Sequence, residues 1–512
     1  MIFTAKKSSH RAVPAAVAVL LAALLLIASC AQKTQTPDNT SEAATTALTP
    51  VSSEAATEEV TETPGTTEPE FNTADYGGED FTVFARVNSF YSAGDIYAED
   101  QTGDVLNDSV WRRNLVVEEK YKIHIKVKTA LTPYTELDKD VAGGAIGYDM
   151  ILDRRSDLAG CSVSGLLYNF NKLGVDFSRP WWDENAKGYA IEGRQFLMPN
   201  DVDTGNLAGA RFLYFNKELV KSFHLEDPYE LVHQNQWTLE KYLTLVKNCS
   251  EDRGSGELGV YGMITETGAA NGNHMHLLVG CGVQSTVTDS DGKITQIITE
   301  QLAKISDVFD QLNAVYSDKT HARTYQESAE LFTGGGYTSV WTRGRGAFAA
   351  GHYLFVQGGM DLTSEFVDMQ DDYGLVPNPK YNGDQENYYH KIDRYSIIWG
   401  IPNSPGVIDL ERVANVSDYW AYVSSYTVMP AYYEITVKTR RFKDPTASDM
   451  LDIVKGSLVY DVCDIYGINI NESLNNAYVN GNIGGVLSGS YLRNVDNSIT
   501  SLVKSINQKY SD

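Results

Sequence analysis

Between Phe81 and Leu152 the hydrophobic period changes repeatedly, and that alternation restricts the chain to one class of fold. Phe81-Thr82-Val83-Phe84-Ala85-Arg86 reads as a strand. Asp108 predicts the cap of a helix carrying Trp111, Leu115 and Val116 on one face. Ile123, Ile125 and Val127 then alternate with His124, Lys126 and Lys128, the period of a half-buried strand. Tyr148 to Leu152 is a short apolar strand that enters Asp153-Arg154-Arg155. Strand–helix–strand order implies a largely parallel α/β sheet. Ligands of such sheets sit beyond the carboxyl ends of the strands. Here those ends carry Arg86 to Asn88 and Asp153 to Arg155.

The stretch from about Asp75 to Asp512 exceeds one typical domain, so two lobes are expected. Its later parts are richer in helix. Trp237-Thr238 opens one with Leu239, Tyr242, Leu243 and Val246 at helical spacing. Leu302, Ile305, Phe309, Leu312 and Tyr316 mark a second, and Leu410, Val413, Trp420 and Val423 a third. Asp444-Pro445 begins a fourth, with Met450, Leu451 and Val454 inside it. These stripes are read as core.

The N-terminus differs in kind. Lys6, Lys7 and Arg11 precede an apolar run, Ala15 to Ile27, that is short for a membrane span of about 20 residues. Ile27-Ala28-Ser29-Cys30 resembles the lipobox of bacterial lipoproteins. The resemblance implies a signal peptide over 1–29, a lipid on Cys30 such as palmitate, and a place on the outer face of the cell membrane. Residues 30–73 then hold the Cys and a tether of Thr, Ala, Glu, Ser and Pro, too poor in apolar groups to offset its ordering entropy. The formal net charge of −25 argues against nucleic acid, whose phosphates need basic patches. Cys161, Cys249, Cys281 and Cys463 lack metal-ligand spacing; two disulfides and four buried thiols are both open.

A set of short motifs, spread in order over nearly the whole body, is similar to the extracellular solute-binding proteins of bacterial ABC importers, of the carbohydrate type. They include Asp75-Tyr76-Gly77-Gly78, Gly103 to Asp108, Pro180-Trp181-Trp182-Asp183, Phe215-Asn216-Lys217-Glu218-Leu219 and Pro228 to Val232. Gly346-Ala347-Phe348, Tyr373 to Pro377 and Pro430 to Glu434 complete the order. The resemblance implies a two-lobed α/β fold of the periplasmic-binding-protein type II, each lobe a mostly parallel sheet flanked by helices. It places the first part of lobe 1 at 74–213, lobe 2 at 214–372, and the return to lobe 1 with C-terminal helices at 373–512. It implies a monomer that captures a sugar or oligosaccharide between its lobes and delivers it to a separate membrane permease, without catalysis or cofactor.

A sugar offers apolar faces to aromatic rings and a hydroxyl rim to charged and amide groups. On that chemistry the candidate contacts are Arg86, Asn88, Asp153, Arg154, Arg155, Trp341, Arg343, Arg345, Tyr389, Arg394 and Trp399. Tyr389 and Trp399 would either stack on sugar or pack. Trp181 and Trp182 are read as structural. Glu251 to Glu257 occupies the place of a calcium-like loop in relatives, but its Gly residues and Arg253 remove oxygen ligands, so no metal is expected. Gly334-Gly335-Gly336 lacks the Gly-Lys-Ser/Thr ending of a phosphate loop. A glycan-active enzyme, a static glycan-binding module, and the same receptor role for a peptide or other small solute are the rival readings.

Overall fold

The computed structural model describes residues 68–510, apart from 89–90, 255, 267–271, 290–291, 334 and 439–444. For 434–438 and 445 only the backbone is described. Cys30, the signal segment and most of the tether lie outside the described residues, as do Gly334 and Asp444.

Two mixed sheets organise the body. The first has the order Ile397–Gly400, Met150–Arg154, Glu79–Arg86, Ile123–Ala130. Its three early strands are mutually parallel, as strand–helix–strand order requires. The second has the order Tyr373–Val376, Phe212–Asn216, Tyr353–Gly358, Tyr261–Thr265, Ala322–Thr324. Its last three are parallel.

Antiparallel strands occur where the chain changes sheet. Phe212 lies opposite Gly358, at the carboxyl end of its neighbour, so the strand starting there runs the other way. Ile397 lies opposite Arg154 for the same reason. Both crossovers therefore enter at the carboxyl edges. They also touch: Ala210 bridges Ile392, and Asp393 N–H donates to Gly209 O at 2.8 Å. Gly209 has no room for a side chain, since a Cβ would stand 2.6 Å from Ser396 Cβ. Tyr373–Val376 still pairs within the second sheet, and the chain next joins the first sheet at Ile397.

The apolar stripes sit where the periods put them. Leu239, Tyr242, Leu243 and Val246 are buried, as are Ile305, Phe309, Leu312 and Tyr316, and Val413, Trp420 and Val423. Met450, Leu451 and Val454 are fully covered too. Trp181 and Trp182 pack inside, both indoles donating to Asp418 Oδ1, at 2.7 and 2.9 Å.

The helix Val105–Tyr121 departs from expectation. Its cap is Asp104, which accepts from Asn107 N at 2.9 Å. Asp108 instead holds the incoming turn, accepting from Thr102 N at 2.8 Å. Leu115 and Val116 are exposed. The buried face carries Val110, Val117, Tyr121 and, unexpectedly, Arg113. Arg113 reaches Val202 O, Asp95 O and Ile96 O at 2.7–3.0 Å and lies over the Trp420 ring. Five fixed donors let one guanidinium tie several buried carbonyls together. Burial lowers its pKa to about 9.

All four described cysteines are free and buried. Burial pushes the thiols of Cys161, Cys249 and Cys281 up to about 12. Among the described residues no helix is long and apolar enough to cross a membrane.

Candidate functional site

Strand register puts Arg86 opposite Ala130, Arg154 opposite Ile397, and Thr265 opposite Thr324. These pairs mark the two carboxyl edges. At the first edge, Arg86 contacts both Asp153 and Asp157, the latter at 2.8 Å, and donates to Leu131 O at 2.5 Å. Asp153 also accepts from Tyr134 N and Arg154 N, at 2.9 and 2.7 Å. Arg154 closes the group through Asp157 at 2.7 Å. Burial raises the Asp153 carboxyl against the pull of Arg86. The network is tied to loops that follow the strands, so it fixes their shape.

The neighbouring turn, Asp393 to Ser396, is equally fixed. Ser396 O and Arg394 O accept from Arg155 N and Ser156 N, at 3.0 and 3.3 Å, at the start of the helix Arg155–Val163. Arg155 is fully buried beneath it, bonded to Ser396 Oγ and Asn206 Oδ1, both at 2.6 Å. Tyr395 is held in its backbone by Asp393 Oδ1 and Tyr91 OH, at 2.9 and 2.7 Å, yet its side chain is 46% exposed. The Arg154 and Arg394 guanidiniums lie 5.6 and 5.5 Å from its ring centre.

At the second edge the helix Val340–Ala349 begins in a capping box, with Ser339 and Thr342 bonding reciprocally. This sets Trp341 one residue into the helix, 49% exposed, with its indole N–H on Glu266 Oε1 at 3.3 Å. Arg345 pairs with Glu365 at 2.6 Å. Burial raises the Glu266 carboxyl; the Trp341 hydrogen bond and Arg345 oppose this, and the Asp393 charge adds to it. Asp393 belongs to the crossover, so its field links the two edges. Arg211 joins them too, meeting Asp361 at 3.0 Å and Asp393 at 3.2 Å. Burial opposes ionisation of Asp393, but Arg211 holds its carboxyl below the ordinary range.

The structure thus brings Arg86, Asp153, Arg154, Arg155 and Arg394 into one edge, and Trp341 and Arg345 into the other. Asn88 shapes a turn beside the first, its Oδ1 accepting from Tyr91 N at 3.2 Å. Arg343 turns away to Ala329 O at 3.1 Å. Trp399 does not reach the edge: it is 1% exposed, bonded to Asp203 and packed on Trp420. All four residues of the strand Ile397–Gly400 are buried, so a ring on it packs inside whichever face it takes. Tyr389 lies elsewhere, lining a cavity of about 1020 Å³ with Phe177, Asp183, Tyr388 and Tyr460. Tyr395, Tyr91, Glu266 and Arg211 were not singled out from the sequence. Tyr395 alone left a signal there, adjoining Arg394 just before an apolar strand.

No family model matches the sequence, and no curated protein does. Solved structures do. RafE from Streptococcus pneumoniae, in its apo form, is 14% identical and matches with a TM-score of 0.51, over 86% of this chain and 100% of RafE. The chain has RafE's fold. A cyclo/maltodextrin-binding protein complexed with maltotetraose is 14% identical, at TM-score 0.49 over 84% of this chain and 98% of that one. An ABC transporter solute-binding protein from Thermotoga lettingae, bound with α-D-tagatose, is 15% identical, at TM-score 0.47 over 83% and 100%.

Proposed function

We propose that this protein is the solute receptor of an ABC importer, capturing a sugar or oligosaccharide between its two sheets and delivering it to a membrane permease. The observation that carries this is a pair of exposed rings, Tyr395 and Trp341, one at each carboxyl edge, on fixed backbones. Covering about 50 Å² of sugar face on such a ring contributes on the order of 1 kcal/mol. Micromolar capture needs about 8 kcal/mol, so hydrogen bonds from both edges must supply the rest. A ligand touching both edges favours the closed arrangement only through contacts made there, which couples capture to hinge closure. The fold shared with RafE and the order of the sequence motifs support the receptor role. A lipid on Cys30 and the tether would keep the receptor, as a monomer, beside its permease on the outer face of the membrane.

Calorimetry and solution scattering with mono- and oligosaccharides test the reading. Saturable binding with ligand-dependent compaction is expected. Binding of peptides but no sugar would overturn the carbohydrate assignment, and glycan hydrolysis by the purified protein would overturn the receptor role. Replacing Cys30 by Ser should move the protein from the membrane fraction to the medium.

A further inference from the structure

The guanidiniums around the first edge are not equally committed. Arg86 and Arg154 meet Asp153 and Asp157, and Arg211 meets Asp361 and Asp393. Among the described residues Arg394 has no carboxylate partner, and its Nε is buried without an acceptor. Its guanidinium lies against the Tyr395 ring. Asp393, adjacent in sequence, is already held by Arg211 and Tyr395 N–H. The segments next in sequence to Asn88 and Glu266, Ser89-Phe90 and Thr267 to Asn271, contain no acidic residue.

The chain carries a net charge of −25. The excess negative charge elsewhere matters little at this spot, because exposed charges beyond about 8 Å are screened at physiological salt. Arg presents a planar fork that fits a carboxylate with two parallel hydrogen bonds, roughly twice as strong as neutral ones. Beside it stands an exposed aromatic face. The turn that carries both is fixed by the Arg155 N–H, Ser156 N–H and Ser396 bonds, so little ordering is required on binding.

We infer that Arg394 and Tyr395 form a subsite for an acidic sugar, the ring stacking on Tyr395 and a uronate carboxylate meeting Arg394. This rests on the sugar-receptor reading and narrows its ligand class to uronate-containing oligosaccharides.

The test is calorimetry of the intact lipid-free protein with glucuronate- and galacturonate-containing oligosaccharides, each against its neutral counterpart of equal length. The protein should prefer an acidic member at least tenfold at 0.05 M salt, less so at 0.5 M. Arg394→Gln should abolish the preference and Arg394→Lys should restore part of it, with unfolding midpoints showing that both variants fold. Neutral oligosaccharides bound as tightly as acidic ones would overturn the acidic subsite and leave the sugar receptor standing. So would an acidic preference that survives Arg394→Gln. Binding of no glycan of either kind would overturn both.

Discussion

At the edge of the first sheet, the Arg86 and Asp153 side chains are 4% and 0% exposed; at the edge of the second, those of Arg345 and Glu365 are 26% and 30% exposed. The difference lies in what each pair is tied to. Arg86 and Asp153 also bond Leu131 O and Tyr134 N–H, so they shape the loop after Ala130. Arg345 and Glu365 join two surface segments that water can solvate separately. Charge at the first edge is thus mainly framework, and the surface proposed to meet a ligand there is the exposed Tyr395 with Arg394 beside it. At the second edge the corresponding surface is Trp341, whose indole is oriented by Glu266.

The sharpest way to break this contrast is Arg86→Ala, which strands a buried carboxylate. It should cost about 3–5 kcal/mol of folding stability, read by chemical denaturation. A loss below about 1 kcal/mol would remove the framework role. Trp341→Ala should leave stability nearly unchanged while weakening sugar binding by about 1 kcal/mol, roughly fivefold, measured by calorimetry. Unchanged affinity would exclude Trp341 as a ring platform.

A third test uses pH. Asp203 is buried, like Asp153, but is bonded to the Trp399 and Gly205 N–H groups and to no cation among the described residues. Burial, with a smaller push from Asp95, raises its pKa to about 7, against about 3.9 in an unfolded chain. A carboxyl raised in the folded state stabilises fully below the unfolded value and loses that contribution as pH rises through the folded one. The stability of the wild type relative to Asp203→Asn should therefore be highest near pH 4 and decline through about pH 7. A constant offset of about 1 kcal/mol is expected from one lost hydrogen bond. Unfolding midpoints across that window check it, and a flat difference would contradict it. The smallest effect is expected of Arg345→Gln, below about 1 kcal/mol in stability, because its ion pair is partly solvated; the same denaturation series measures it.

Much of this was legible in the sequence because local periodicity depends only on neighbours along the chain. The parallel strands ending at Arg86 and Arg154 and the buried faces of the helices at 239–248 and 298–316 follow from spacing and residue type, while the packing of Trp181 and Trp182 was implied by the family resemblance. Arg86, Asp153 and Arg154 could be placed at a strand end for the same reason. Their roles could not be read, because a charged residue at a strand end looks the same whether it meets a ligand or Asp157. Trp399 and Tyr389 illustrate the converse: an aromatic beside a strand end carries no mark of how fully the strand is covered or which cavity lies beyond it.

The sequence by itself determined the α/β class, the two-part body and the buried faces of the later helices, though not that of Val105–Tyr121, since each follows from hydrophobic period and chain length. The tertiary structure decided which charges were neutralised by partners more than a hundred residues away, such as Arg211 by Asp361 and Asp393. It also decided that Arg113 would be buried among carbonyls, and that Tyr395 and Trp341 would stay exposed at the two edges. Burial and pairing depend on what packs from elsewhere in the chain, and no local pattern encodes that.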